Sequence, residues 1–155
     1  MIQKLPHTRS CFVCGENNPL GLQLRMTTDG RAVHVRFTPR AEHVGFKQVV
    51  HGGVLATVLD ELMVWACAVQ THRFAFCAEL NVRYLQPARP GDLLDGSAEL
   101  VENRRGRILE AKAELRSSNG AVLVSATGKY MPVKGEVTAE LLSDVVADPD
   151  AWRLG

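Results

Sequence analysis

The sequence lacks a surplus of either charge: 18 Lys and Arg stand against 17 Asp and Glu, a formal net charge of +1. A dedicated nucleic-acid binder usually carries a basic excess, so no nucleic-acid partner is expected. The first ten residues, MIQKLPHTRS, contain no apolar run, which speaks against a secretory leader. With that run absent, the four cysteines (Cys11, Cys14, Cys67, Cys77) read as reduced thiols of a cytoplasmic protein, not a disulfide frame. There are no internal repeats, no low-complexity tracts and no second paired-cysteine motif that would complete a four-ligand zinc site. At 46% hydrophobic and 23% charged, the composition excludes disorder and a coiled coil. A chain of 155 residues is expected to form one domain with a substantial core.

What is present is regular punctuation after an irregular start. Residues 1–21 read as a lead-in without periodicity, closed by Asn17, Asn18, Pro19 and Gly21. Short alternating runs at 22–26 and 33–37 flank Thr28-Asp29-Gly30, a hairpin signal because Asp and Gly tolerate positive φ. Residues 39–50 read as a loop. From 52 to 69 only Thr57, Asp60 and Glu61 are clearly polar, which predicts a helix buried nearly all round. Two adjacent carboxylates near its centre would be costly in hydrocarbon, so no membrane partner is expected. Strand-like runs follow at 74–85, 93–102, 107–116 and 122–131, the first two parted by Pro87, Pro90 and Gly91. The third alternates Leu109, Ala111, Ala113 and Leu115 with Glu110, Lys112, Glu114 and Arg116, as a half-buried antiparallel strand does. Asn119-Gly120 turns it into the fourth. A tail at 133–155 holds a weak helical stretch over 138–146. One long apolar helix with no second helix to cover it requires a sheet around it, so the expected fold is α+β, an antiparallel sheet wrapped round a central helix. The core domain spans 22–132, and its long strands leave an edge or face for another subunit to cover.

The chemistry-bearing candidates gather at the start of that helix. His51-Gly52-Gly53 precedes it, and Asp60 and Glu61 follow two turns later. Glycines at a helix start leave N–H groups unshielded and admit a ligand closely, and the positive end of the helix dipole favours a developing oxyanion there. Seven residues are close to two turns, so Gly53 and Asp60 share one side of the helix. A carboxylate in an apolar helix is expensive unless hydrogen-bonded or at work. Each residue alone has a plainer role: His51 as a helix cap, the glycines for close packing, the acids as ion-pair partners. The combination favours chemistry but leaves the reaction open.

The stretch from His51 to Glu61 resembles the HGG(x)6D segment of hotdog-fold acyl-CoA thioesterases of the phenylacetate-pathway (PaaI-type) branch. The similarity continues through Glu79-Leu80-Asn81-Val82-Arg83-Tyr84-Leu85-Gln86-Pro87-Ala88-Arg89-Pro90-Gly91-Asp92, through Gly106-Arg107-Ile108-Leu109-Glu110-Ala111, and up to Met131. Cys11-Phe12-Val13-Cys14-Gly15 with Asn18-Pro19-Leu20-Gly21-Leu22 is similar to the lead-in of one subgroup. The resemblance implies a hotdog fold and hydrolysis of an acyl-CoA to free acid and CoA. It assigns Asp60 as nucleophile or general base, the Gly53 N–H as the group polarising the carbonyl, and His51 as the residue positioning the thioester. Glu61, adjacent but pointing elsewhere on the helix, is a second candidate acid, and Gly52 permits close approach. No cofactor is implied, since coenzyme A is part of the substrate, and a homodimer at least, expected as a homotetramer, is implied because two subunits build each site. Many relatives carry Asn where this chain has Gly45, with Gln48 nearby to hold a water instead. Relatives also often carry Ser or Thr where Cys77 aligns, and Cys77 is a poorer hydrogen-bond partner. Arg89, Arg104 and Arg105 are candidates for the CoA phosphates, and Phe46, Leu62, Met63 and Trp65 for the acyl pocket. Gly45 and Cys77 keep two alternatives in view: a non-catalytic acyl-CoA-binding or sensing module and, further off, an enoyl-CoA hydratase or dehydratase.

Three features fall outside this reading. Cys11-x-x-Cys14 is one pair where a zinc site needs four ligands, with His7 or His43 as conceivable additions, so no metal is expected. His34 lies on a strand facing solvent, and His72 closes the helix, where the dipole favours a cation.

Overall fold

The computed structural model describes residues 1–155. In chain order the elements are β1 (Gln3–Lys4), β2 (Met26–Thr28), β3 (Ala32–Phe37), a 3-10 turn (Ala41–His43), β4 (Val44–Phe46), β5 (Val49–Val50), α1 (Gly52–Thr71), β6 (Ala75–Tyr84), β7 (Leu94–Arg104), β8 (Ile108–Ser117), β9 (Val122–Pro132) and α2 (Glu136–Ser143). Seven strands form one antiparallel sheet in the order β1-β2-β3-β7-β8-β9-β6, and β4 and β5 make a separate small hairpin. The sheet packs round α1, which is the hotdog arrangement expected from the sequence.

The Asp29-Gly30 turn forms where expected. Asp29 Oδ1 accepts the N–H groups of Arg31 and Ala32 at 2.8 and 2.7 Å, and Gly30 adopts φ 92°. Those N–H bonds stabilise the charged carboxylate and hold its pKa down to about 2. The strand entering the turn differs from the expected 22–26, because Leu22 and Leu24 donate their N–H groups to the carbonyls of Phe12 and Val13 instead of joining the sheet. Residues 39–50 are also more ordered than a plain loop, since they contain β4 and β5.

α1 is buried because it is apolar on nearly every side: Leu55, Val58, Leu59, Leu62, Met63, Trp65 and Ala66 are all enclosed. Each large side chain removed from water contributes roughly 1.5–3 kcal/mol. It is also the one helix long and apolar enough to cross a bilayer, and here it forms the centre of the core. The alternation read in 107–116 appears as Leu109, Ala111, Ala113 and Leu115 turned inward. Helix and sheet pack tightly at Gly96 on β7, where an added Cβ would lie 2.8–2.9 Å from Val35, Leu115 and Leu62. His72 ends α1 in the left-handed conformation, φ 54°, and its ring stacks on Trp152 at 5.5 Å between centroids.

The lead-in and the tail pack on this same core and on each other. Leu5, Val13 and Cys14 are buried with the core side chains. Thr8 bridges to Val145, Ser10 donates to the Asp144 carboxylate from both its N–H and its hydroxyl, and the Trp152 N–H bonds the Lys4 carbonyl. The lead-in is therefore fastened at several points, although its conformation is irregular. At the opposite sheet edge β6 has no outer partner, and Phe76, Leu80 and Tyr84 stand exposed along it.

Candidate active site

α1 begins in a tightly built corner. His51 is the N-cap, and its Nδ1 accepts the Gly53 N–H at 2.9 Å. The imidazole reaches this position because residue 45 has no side chain: a Cβ on Gly45 would lie 2.8 Å from His51 Cδ2. Gly52 is held by Tyr84 of β6, whose hydroxyl donates to the Gly52 carbonyl at 2.7 Å and whose ring would touch a Gly52 Cβ at 3.0 Å. Both glycines in the motif are thus explained by close approach, one to the histidine ring and the other to a tyrosine. The Gly53 N–H, expected to face the substrate, is occupied by His51, whereas the Gly52 N–H at the same helix start has no acceptor. A cleft of about 350 Å³ opens beside this corner, lined by Val49, Val50, Gly52, Leu55, Tyr84 and Ala88 among others.

Asp60 lies two turns along α1 and is half-buried. The Tyr130 hydroxyl donates to its Oδ1 at 2.8 Å. Tyr130 is fully buried on β9, and its ring lies over Gly128, where an added Cβ would come within 2.6 Å of it. Burial and the Asp60 charge push the phenol pKa up, so the hydroxyl stays protonated and donates. Cys77 on β6 is the cross-strand partner of Tyr130, next to a bulge between Cys77 and Glu79 that re-aims the strand. Its thiol donates to the Glu79 carbonyl at 3.6 Å, and its pKa is raised by burial and then by the Asp60 charge. Sequence reasoning missed Tyr130, which follows Asp60 by 70 residues; the available signal was Gly128 two positions before it on one strand face.

Other candidates sit elsewhere. Glu61 points away from this group: it accepts the Trp65 indole N–H at 3.1 Å and faces the Cys11 thiol at 3.8 Å. Its carboxyl is pushed up to about 7, mainly by burial. Phe46 and Gln48 lie at the tip of the β4–β5 hairpin, Phe46 82% exposed and Gln48 at φ 64°, with Lys47 beside it also at positive φ. Arg89 adjoins the helix start, because the Val50 N–H bonds the Ala88 carbonyl. Arg104 and Arg105 are at the far end of α1, where Arg73 reaches the Gly106 carbonyl of their hairpin. A 20-residue helix spans about 30 Å, so one chain does not bring these two arginines to the His51 corner. Arg104 is moreover paired with Glu102 and Glu110. A larger groove of about 710 Å³ crosses the outer sheet face past His34, Glu99, Lys112 and Arg116 and holds none of the expected site residues.

The family model described as "Thioesterase superfamily" matches residues 47–124, which takes in the glycine corner, α1 and the three strands after it. The chain belongs to the thioesterase superfamily. Solved structures of similar fold include a thioesterase-superfamily protein at 26% identity and TM-score 0.71, with 79% of this chain and 60% of that one covered. The chain thus spans less than two thirds of that protein. The Escherichia coli PaaI protein from the phenylacetic acid degradation operon matches at 22% identity and TM-score 0.66, over 74% of this chain and 82% of its own. A Streptococcus mutans protein bound to acetyl-CoA matches at 16% and TM-score 0.66, over 76% and 94%. No curated protein matches the sequence. Within this superfamily member, Gly45 stands out because its lack of a side chain fixes where His51 sits. Gly45→Asn is expected to drive the imidazole off its cap, freeing the Gly53 N–H at a cost of about 1 kcal/mol in helix capping. Thermal melting and the His51 imidazole NMR signals check this together: an unchanged melt with unmoved signals would contradict it.

Proposed function

We propose that this chain hydrolyses an acyl-CoA thioester to the free acid and coenzyme A. The observation that carries the reading is the Asp60 carboxylate, placed in an apolar helix and oriented by the buried Tyr130 hydroxyl. A hydrogen bond to Oδ1 fixes the carboxylate plane and leaves Oδ2 free to take a proton from water or to attack the thioester carbon directly. The carbonyl oxygen becomes an oxyanion in either case. The N–H groups at the start of α1 are positioned to stabilise it, with Gly52 free as it stands and Gly53 available once His51 turns aside. Water supplies the hydroxyl of the acid, the thiolate leaves with a proton, and coenzyme A participates as part of the substrate.

The substrate class draws support from superfamily membership and from the acetyl-CoA held by the Streptococcus mutans protein of similar fold. A second copy of the chain fits the account. The exposed β6 edge with Phe76, Leu80 and Tyr84 offers a surface for it, and two antiparallel copies of α1 would carry the partner's arginine-bearing hairpin towards the glycine corner. We assign a homodimer at least, and a homotetramer as the fuller assembly. The cytoplasm is the proposed location, in keeping with four unbridged cysteines.

Thiol release from a panel of aromatic and aliphatic acyl-CoAs, paired with calorimetric binding, tests the reading. Saturable release with at least one of them is expected. Tight binding without release would instead support the sensing module, for which Cys77 and the occupied Gly53 N–H are the observations in favour.

A further inference from the structure

We propose that Cys11, Cys14 and Glu61 form a binding site for one divalent cation of the zinc class, which fastens the lead-in to α1. The three side chains come from two distant parts of the chain, and their ligand atoms all lie within 4.8 Å of one another. The local backbone is shaped for thiolate ligands. The Val13 N–H points at Cys11 Sγ from 3.2 Å, and the Gly15 N–H closes the turn on the Cys11 carbonyl at 2.8 Å. Only glycine fits at position 15, since a Cβ there would lie 2.3 Å from the Cys11 carbonyl oxygen. A Cys-x-x-Cys-Gly turn of this kind aims both sulfurs to one side, and Glu61 completes that side from the helix.

The distances suit an ion. Zinc binds sulfur at about 2.3 Å and carboxylate oxygen at about 2.0–2.2 Å, so tetrahedral S and O ligands stand about 3.5 Å apart. Both Glu61 oxygens lie 3.8–3.9 Å from Cys11 Sγ, a few tenths of an ångström wider. The chemistry suits one too. Glu61 is half-buried on an apolar helix, receives one indole N–H and has no lysine, arginine or histidine in ion-pair range. A carboxylate drawn out of water in this way is normally paired or coordinates a metal. Two thiolates and a carboxylate make a donor set favouring zinc over calcium or magnesium. Binding releases the thiol protons, and the carboxyl proton where present, to solvent, and the fourth position remains for a water molecule. Cys-x-x-Cys alone gave too few ligands, and neither histidine considered with it joins: His7 is paired with Glu16, and His43 caps the turn at Arg40. The helix supplies the missing ligand.

The test uses the full chain, reduced and freed of metal with a chelator, then titrated with Co²⁺. About one cobalt per chain is expected, with thiolate-to-cobalt charge-transfer absorption and the intense visible bands of a tetrahedral site. Cys11→Ser and Cys14→Ser should each remove about half of the charge-transfer intensity or more, and the double serine variant all of it. Glu61→Gln should retain it while weakening affinity by about tenfold or more. Should the variants misfold, an organomercurial added to the cobalt-loaded parent is expected to release the metal as Cys11 and Cys14 react. Absence of stoichiometric binding by the reduced parent would overturn the proposal, as would a charge-transfer spectrum of undiminished intensity in the single serine variants or one that survives in the double variant. Thioester turnover is not part of the readout, so this proposal and the hydrolase reading fail separately.

Discussion

Asp60→Asn is expected to lower kcat for acyl-CoA hydrolysis by a factor of about 10²–10⁴, the range that a positioned acid or base supplies. Asparagine has the same shape, and its amide oxygen still accepts the Tyr130 hydroxyl, so the fold around the 2.8 Å contact persists. What disappears is the oxygen able to hold a proton or attack carbon. The loss therefore falls on kcat, with KM little changed, because a carboxylate in the proposed role acts on the reacting atoms and makes little of the ground-state binding. Glu61→Gln, on the neighbouring residue but directed at Trp65 and Cys11, should keep most of the parent's kcat. Steady-state kinetics on the two variants separates the adjacent acids. Equal losses in both would remove the distinction that the geometry draws between them.

Gly96→Val carries the largest structural effect. The first added carbon would already lie 2.8–2.9 Å from side chains of β3, β8 and α1, so a valine fits only if the enclosed Val35, Leu115 and Leu62 are displaced. β7 is held on both sides by β3 and β8, so it cannot move outward without breaking its ladders. Overpacking of this kind costs about 1–3 kcal/mol, and sometimes more. At about 2–4 °C per kcal/mol for a chain of this size, the midpoint of thermal unfolding should fall by up to about 10 °C. Calorimetry of parent and variant measures it, and an unchanged midpoint would mean that helix and sheet are not packed closely there.

Much of this architecture was legible because it is local. The long, mostly apolar run became α1, two residues longer than expected, and the alternation after residue 107 became β8 with its inward and outward faces as read. The Asp29 and Asn119 turns have side-chain chemistry that fixes them in place. The misreadings arise where long-range pairing decides. Residues 22–25 have a strand-like pattern, yet Phe12 and Val13 take their hydrogen bonds. The divergence of Asp60 and Glu61, by contrast, was expected, since a helix turns about 100° per residue; what spacing did not show is that the rotation sends one to Tyr130 and the other to the cysteines. Tyr130 joins the site only because β9 lies between β8 and β6, a neighbour relation that no periodicity encodes. Arg104 and Arg105, grouped with Arg89 by chemistry, prove to lie at the other end of α1, a helix length away.

Cleavage of a thioester bond at this site is the proposed step on which every kinetic expectation depends. A single-turnover experiment addresses it: excess protein is mixed with a radiolabelled acyl-CoA found to bind, quenched in acid at intervals, and free acid is separated from intact thioester. Free acid is expected to form with the parent at a rate that saturates with protein concentration, while Asp60→Asn binds the same acyl-CoA and returns it intact. Recovery of intact acyl-CoA from the parent, after binding has been shown in the same samples, would contradict it.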